Sequence, residues 1–421
     1  MSAPEMISMG CRLNIAESEN LRQNLAANNI DGDNLIIVNS CAVTNEAVRQ
    51  TRQAIRRAKK ANPEKDIIVT GCAAQVDPAM FAAMPETSAV VGNVDKYDAA
   101  NFKLGLHSNR PDIRVSDIMR ITETAPHMVS SFADRSRAFV EIQNGCDHRC
   151  TFCIIPFGRG NSRSVPAGLV VDQVRALVDK GFQEVVLTGV DVTSYGPDLP
   201  GQPTLGLLIE RILKHVPDLP RLRLSSLDGI EIDDRLFDLL TGAARLMPHV
   251  HLSLQSGDNM ILKRMKRRHS REQAIALVER LKAKRPDIAI GADIIAGFPT
   301  ENDAMFANSL AIIDQCDIVH GHIFPYSPKQ GTPAAKMPQL DGNVIKERAK
   351  ILRKTVARRA QQWRQTLVGS RQNILAEMSG SAGYAENFAS VRLDGSASRG
   401  QIVAVEITGV QDKQLIGRMA A

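Results

Sequence analysis

The sequence predicts an α/β protein of three successive units: a parallel α/β layer, a central barrel-like parallel sheet, and a small antiparallel β module. Three observations carry that prediction. Short β-branched runs alternate with helical stretches over the first hundred residues, the order expected of strand–helix–strand units. The alternation resumes near residue 136 and yields six strand candidates, short of the eight that close a full barrel. Near Gln339 the pattern changes to a long basic helix and then to short alternating strands with Gly or Asp between them.

In the first unit, Leu35-Ile36-Ile37-Val38-Asn39 and Asp66-Ile67-Ile68-Val69-Thr70 read as strands, each ending beside a cysteine, and Met6-Ile7-Ser8-Met9 as a third. Residues 45–61 contain no Gly or Pro and read as a helix stopped by Pro63. A linker is expected over 106–131, between a first domain at 1–105 and a second at 132–362. Strands of the second domain are expected at 138–143, 184–188, 221–225, 249–254, 288–295 and 318–324, with helices such as 170–180, 271–284 and 303–315 between them. The helix 344–366 leads into the last domain, 365–421, with strands at 373–378, 389–393, 401–408 and 414–417.

A chain of 421 residues exceeds one ordinary core, in keeping with two or three domains. Hydrophobic residues at 43% and charged residues at 23% describe a soluble globular protein. No apolar run approaches the roughly 20 residues that span a bilayer. The start, Met1-Ser2-Ala3-Pro4-Glu5, lacks the basic and apolar regions of a secretory signal. The expectation is a cytoplasmic protein with no membrane partner, whose clustered cysteines hold metal rather than form disulfides. The net charge is only +6, but the cations are bunched. Arg49, Arg52, Arg56, Arg57, Lys59 and Lys60 form one group, Lys263, Arg264, Lys266, Arg267 and Arg268 a second, and Arg353, Lys354, Arg358, Arg359 and Arg364 a third. Such patches suit a polyanion, although each alone also reads as a solvated helix face. Aromatic residues at 4% argue against extensive base-stacking platforms.

Six of the seven cysteines fall into two sets of three. Cys146, Cys150 and Cys153 make a C-x3-C-x2-C run, and Cys11, Cys41 and Cys72 each follow a strand candidate of the first domain. At the carboxyl ends of parallel strands those three would share one sheet edge, where α/β ligands sit. Three thiolates are one short of closing an iron–sulfur cluster, so each set could leave an iron open to a ligand. A zinc site is the weaker reading, because no second C-x2-C pair accompanies the run. Cys316 reads as core packing. His148 reads as solvent-facing; His320 and His322 share a strand face and read equally as substrate contacts or as satisfied core histidines.

The run continues Ile154-Ile155-Pro156-Phe157-Gly158-Arg159-Gly160-Asn161-Ser162-Arg163-Ser164, and with this context the chain resembles the radical S-adenosylmethionine methylthiotransferases. Gly10-Cys11-Arg12-Leu13-Asn14 with Glu17, Val38-Asn39-Ser40-Cys41-Ala42-Val43-Thr44 and Thr70-Gly71-Cys72-Ala73-Ala74-Gln75 are similar to the family's other three motifs. The resemblance implies two 4Fe–4S clusters. One, on Cys146, Cys150 and Cys153, would bind S-adenosylmethionine at its open iron; the other, on Cys11, Cys41 and Cys72, would serve sulfur delivery. It also implies cofactor contacts from Gly189 and Asp191 in Leu187-Thr188-Gly189-Val190-Asp191, from Ser225 and Ser226, and from Gln255 in Leu254-Gln255-Ser256-Gly257. Gly291-Ala292-Asp293-Ile294-Ile295-Ala296-Gly297-Phe298-Pro299-Thr300-Glu301 resembles a further motif of the same barrel.

Within that family, Gln143-Asn144-Gly145-Cys146 and Gly189-Val190-Asp191 resemble the group acting on threonylcarbamoyladenosine beside the tRNA anticodon. Other groups act on isopentenyladenosine tRNA or on a ribosomal-protein aspartate. The tail resembles a TRAM module, an RNA-binding β-barrel, in Gly383-Tyr384-Ala385-Glu386-Asn387-Phe388 and Ile407-Thr408-Gly409-Val410. The implied reaction places a methylthio group at adenine C2, using the tRNA anticodon loop as substrate and an electron donor such as flavodoxin or ferredoxin, with no pointer to the sulfur donor. The reading from another class is a non-catalytic iron–sulfur tRNA-binding protein.

Overall fold

The computed structural model describes residues 3–30, 32–103, 112–122, 135–377 and 379–419. Its first sheet runs β1 (Glu5–Ser8), β2 (Leu35–Ser40), β3 (Asp66–Gly71), β4 (Ala89–Val91) and β5 (Asp112–Arg114), in that spatial order and all parallel. Every residue of β2 is buried, as the apolar run demands of a strand covered on both faces. The helix Asn45–Ala61 follows β2, and its free N–H groups are met by the Thr44 hydroxyl, which accepts from the Ala47 N–H. β5 lies inside the stretch expected to be a linker. Its Asp112-Ile113-Arg114 is too short to show a strand period and takes its conformation from pairing with β4. Within that stretch, residues 106–111 and 123–131 lie outside the described residues.

The central unit contains β6 (Ala138–Asn144), the short antiparallel β7 (Arg163–Ser164), β8 (Glu184–Gly189), β9 (Arg221–Leu224), β10 (Ser226–Leu227), β11 (His249–Gln255), β12 (Ala289–Ala296) and β13 (Ile318–Pro325). Two sheets form, ordered β7-β6-β8-β9 and β10-β11-β12-β13, and only Ser225 separates β9 from β10. The result is an arc of six parallel positions at the six expected places. Val250, Leu252 and Leu254 of β11 and Ile290, Ala292, Ile294 and Ala296 of β12 belong to the large core shared with the surrounding helices. Their alternates, His249, His251 and Gln255 on β11 and Gly291, Asp293 and Ile295 on β12, therefore face the lumen.

After the helix Gly342–Thr366, β14 (Arg371–Ala376), β15 (Ala382–Ala385), β16 (Ser390–Leu393), β17 (Ile402–Gln411) and β18 (Gln414–Met419) close into a barrel ordered β14-β15-β16-β18-β17. The module is not wholly antiparallel, because β16 and β18 pair in parallel. β15 was not expected: its four residues show no strand period, and the close approach of Gly383 to the Leu375 carbonyl, where no side chain fits, is visible only in the fold. Met378, the expected end of the first strand, lies outside the described residues. Phe388 reaches from this barrel to the amino-terminal ends of the lumen strands. Its ring centroid lies 5.0 Å from His249, 5.9 Å from His320 and 4.8 Å from the stacked Tyr384. The guanidinium groups of Arg12, Arg137 and Arg223 lie over it at 5.4, 5.3 and 4.9 Å. No described helix is long and apolar enough to cross a membrane.

Candidate active site

Because β1, β2 and β3 are neighbours and parallel, the turns after them meet at one edge, about 5 Å apart per strand. Cys11 caps the helix Arg12–Ala27, Cys41 follows β2, and Cys72 opens the helix Cys72–Val76. Gly10 has φ +92° and presses its bare Cα side on Cys41: a Cβ there would lie 2.7 Å from Cys41 Cβ and 2.8 Å from its Sγ. All seven cysteines are free thiols. Burial pushes the Cys41 thiol up to about 11. Metal ions are what ionise such a set.

The second set lies on the loop after β6. Cys146 is buried, its backbone N–H donates to the Gly160 carbonyl at 3.1 Å, and its Sγ lies 3.9 Å from Asp191 Oδ2. Arg267 points a guanidinium nitrogen at Cys150 Sγ, 3.7 Å away. Burial lifts the Cys153 thiol to about 12. Soft thiolates in threes, with cations beside them, are a donor set suited to iron–sulfur ligation.

The chain just beyond Cys153 links the two sets. A Cβ on Gly158 would meet Cys72 Cβ at 3.3 Å, and Asn93 Nδ2 donates to the Gly158 carbonyl at 2.5 Å while lying 3.6 Å from Cys72 Sγ. Arg159 is 2% exposed and donates to Glu17 at 2.7 and 3.0 Å, to Asn14 Oδ1 at 2.6 Å and to Asn144 Oδ1 at 3.1 Å. Lys96 Nζ pairs with Glu17 Oε2, which Arg159 also reaches, at 2.9 Å. Burial works against the Glu17 charge, but Arg159 and Lys96 win and hold its carboxyl at about 2. Two buried cations face the Glu17 carboxylate, and burial together with Glu17 pushes the neighbouring Glu141 carboxyl up to about 7, so the protein adds little negative charge of its own beside Cys11 and Cys72, a fit to an anionic thiolate site.

The expected cofactor contacts gather at the carboxyl ends of β8 to β11, the same edge as Cys146. Gln143 Oε1 accepts from the N–H groups of Val190 and Asp191 at 3.1 and 2.8 Å, which fixes the turn after Gly189. Gly189 sits so close to the Gln143 carbonyl that a Cβ would lie 2.6 Å from it. Ser225 keeps a buried hydroxyl with no protein partner, the kind of orphan a bound ligand satisfies. Ser226 lies on β10, and Gln255 ends β11 with φ +69°.

His148 corrects the expectation of a solvent-facing ring. It lies 2.8 Å from Asp191 Oδ2 and 3.6 Å from Glu231, and those carboxylates lift it to about 10. Histidine–carboxylate pairs between separate loops carry no sequence period, so only the fold reveals this one. The lumen histidines part company. His320 is packed between Trp363, His249 and Phe388, whereas His322 Nδ1 lies 3.2 Å from Asp293 Oδ1, which His251 Nε2 also reaches at 2.9 Å. Cys316 is 1% exposed within the core, as expected. Two basic clusters are largely spent internally: Arg267 and Arg268 pair with Asp228, Arg268 also with Glu231, Arg358 with Asp314 and Arg359 with Asp317. Arg159 was the principal miss among single residues; an arginine between two glycines just after a cysteine run was its only sequence signal.

Comparison with known proteins adds to this geometry. Residues 140–313 match the Radical SAM superfamily and residues 5–92 match the uncharacterized protein family UPF0004. The chain is 51% identical to "Threonylcarbamoyladenosine tRNA methylthiotransferase MtaB" of Rickettsia prowazekii, covering 97% of this chain and 95% of that protein. It is 34% identical to the protein of the same name in Aquifex aeolicus, over 95% and 98%. It is 32% identical to "tRNA-2-methylthio-N(6)-dimethylallyladenosine synthase" of Erythrobacter litoralis, over 98% and 96%. Among solved structures, the radical S-adenosylmethionine methyltransferase TsrM from Kitasatospora setae shares the fold, with a TM-score of 0.52 at 17% identity over 75% of this chain and 66% of that one.

Proposed function

The chain belongs to the radical S-adenosylmethionine tRNA methylthiotransferases of the MtaB family, and on that premise we propose that it places a methylthio group on C2 of threonylcarbamoyladenosine in tRNA. Enzymes of this family use S-adenosylmethionine and 4Fe–4S clusters. Here Cys146, Cys150 and Cys153 would hold one cluster and Cys11, Cys41 and Cys72 the other. When bound, these groups would supply one-electron chemistry on S-adenosylmethionine and a site from which sulfur is delivered to the base.

The observation that carries the reading is the seam between the cysteine sets. Gly158 touches Cys72 and Arg159 bonds to the helix that Cys11 caps, five and six residues after Cys153. Both sets can then serve one lumen. Gly189, Asp191, Ser225, Ser226 and Gln255 would contact S-adenosylmethionine along the strand ends, with Gln143 and His148 holding Asp191 in place. The terminal barrel would act as a TRAM-like grip on the anticodon arm. A small reductant such as flavodoxin or ferredoxin would supply electrons, and the cytoplasm is the compartment that fits reduced thiols.

The test is anaerobic assay of cluster-reconstituted protein with tRNA carrying threonylcarbamoyladenosine, followed by mass spectrometry of the nucleosides. Expected products are the 2-methylthio nucleoside and 5′-deoxyadenosine. Product only from isopentenyladenosine tRNA would overturn the substrate while keeping the class. No 5′-deoxyadenosine under any condition would leave an iron–sulfur tRNA-binding protein instead.

A further inference from the structure

A threonylcarbamoyl chain differs from a dimethylallyl chain by what it offers for hydrogen bonding: a carboxylate, a hydroxyl and ureido N–H groups. An enzyme that must tell them apart needs a polar group facing the substrate, because a site built to pair with such atoms rejects a ligand lacking them. The lumen supplies few candidates. Its base is closed by Phe388, by His320 packed against Trp363, and by Arg223, whose guanidinium is paired with Glu184 at 2.9 Å. Near its base stands Arg12, next to Cys11 and close enough to His249 to disfavour its protonation. At its mouth Lys329 lies within electrostatic reach of Cys41 and donates to Asn45 Oδ1 at 3.0 Å.

His251, Asp293 and His322 stand on the lumen faces of β11, β12 and β13, and nothing in the reaction described above uses them. Asp293 is the hub. Burial disfavours its charge, but hydrogen bonds from His251 and His322 prevail and hold its carboxyl at about 2. As an anion it accepts from both rings, so His322 carries its hydrogen on Nδ1 and turns Nε2 outward. The exposures are graded along the triad: the His251 side chain is 8% exposed, Asp293 20% and His322 62%. Two residues set an orientation and the third is presented.

We propose that His322, positioned by Asp293 and His251, is the specificity residue that reads the polar end of the threonylcarbamoyl chain through its free Nε2. That nitrogen accepts from the hydroxyl or an N–H when the ring is neutral and donates to the carboxylate when it is protonated. The inference rests on the substrate reading above. The same three side chains are also compact enough to ligate a divalent ion, with the carboxylate oxygen 2.9 and 3.2 Å from the two nitrogens. That is the competing outcome of the test.

The experiment uses full-length, reconstituted enzyme with His322→Ala, His322→Gln and Asp293→Asn. Each is assayed on tRNA carrying threonylcarbamoyladenosine and on tRNA carrying isopentenyladenosine, with iron and zinc counted per chain. His322→Ala is expected to raise KM for the threonylcarbamoyl substrate about tenfold, the loss of one charge-assisted hydrogen bond, with a smaller change in kcat. Preference over isopentenyladenosine tRNA should fall by a similar factor. His322→Gln, whose amide can occupy the place of Nε2, should recover part of both, and Asp293→Asn should resemble His322→Ala. Unchanged KM and preference in His322→Ala, while the wild type methylthiolates threonylcarbamoyladenosine, would overturn the inference and leave the substrate standing. An additional metal ion per chain that Asp293→Asn loses would overturn it in favour of a metal centre. A wild type inactive on this substrate removes the substrate reading and the inference together.

Discussion

Arg159 shows how much one side chain can tie together in this protein. It satisfies Glu17, Asn14 and Asn144 in a place where none of them meets water. Arg159→Ala should destabilise the chain by about 3 kcal/mol, the low end for a broken buried pair because Lys96 still neutralises Glu17. Chemical denaturation of the two proteins checks this. A second prediction concerns acid. Burial lowers His320 to about 3 and His249 well below its ordinary value, so both are neutral in the fold while the unfolded chain protonates them near pH 6.5. Their contribution is therefore complete above about pH 6.5 and falls away in acid; that of His320 is lost as pH falls toward 3, on the order of 1 kcal/mol per pH unit. His320→Phe should flatten the decline of Tm between pH 6.5 and 5. Residues of this kind were poorly legible in the sequence. The cysteines announce themselves by spacing and rarity, but Arg159, Lys96, Asn93 and Asp293 acquire meaning only when distant strands set them side by side.

At the level of elements, the strand ends matter most. The six central strands were legible because each is a short apolar or alternating stretch set between helical ones, and 138–143 or 318–324 fall within a residue or two of the observed limits. β5 and β15 were not, since three or four residues display no period and their pairing is decided by partners elsewhere in the chain. The turn before Cys11 gives an element-scale test. Gly10→Ala must strain a left-handed backbone and drive a Cβ into Cys41. Iron in the reconstituted variant is expected to fall by about half, from two clusters toward one, while Cys146, Cys150 and Cys153 retain theirs. Full iron content in Gly10→Ala would contradict the assignment of Cys41 as a ligand.

Across the whole molecule, charge is more frugally deployed than the composition implies. Arg267, Arg268, Arg358 and Arg359 are engaged with carboxylates, which leaves the outward face of the helix Asn45–Ala61, with exposed Arg57 and Lys60, as the freer basic surface. Replacing Arg57 and Lys60 by Ala should weaken tRNA binding and reduce its dependence on log salt by about 1 to 2, whereas Arg358→Ala should leave that slope unaltered. Filter binding over a salt series measures both.

The contact of Arg12 with Phe388 joins residues near the two ends of the chain. During synthesis the amino-terminal sheet leaves the ribosome early, but the floor of its neighbouring lumen arrives only with the final strands. The nascent protein thus passes through a long interval in which Cys11, Cys41 and Cys72 already sit on a folded edge while the lumen beside them is still open from below. The last barrel therefore completes the floor of the lumen, while all six clustered cysteines are set by parts of the chain that precede it.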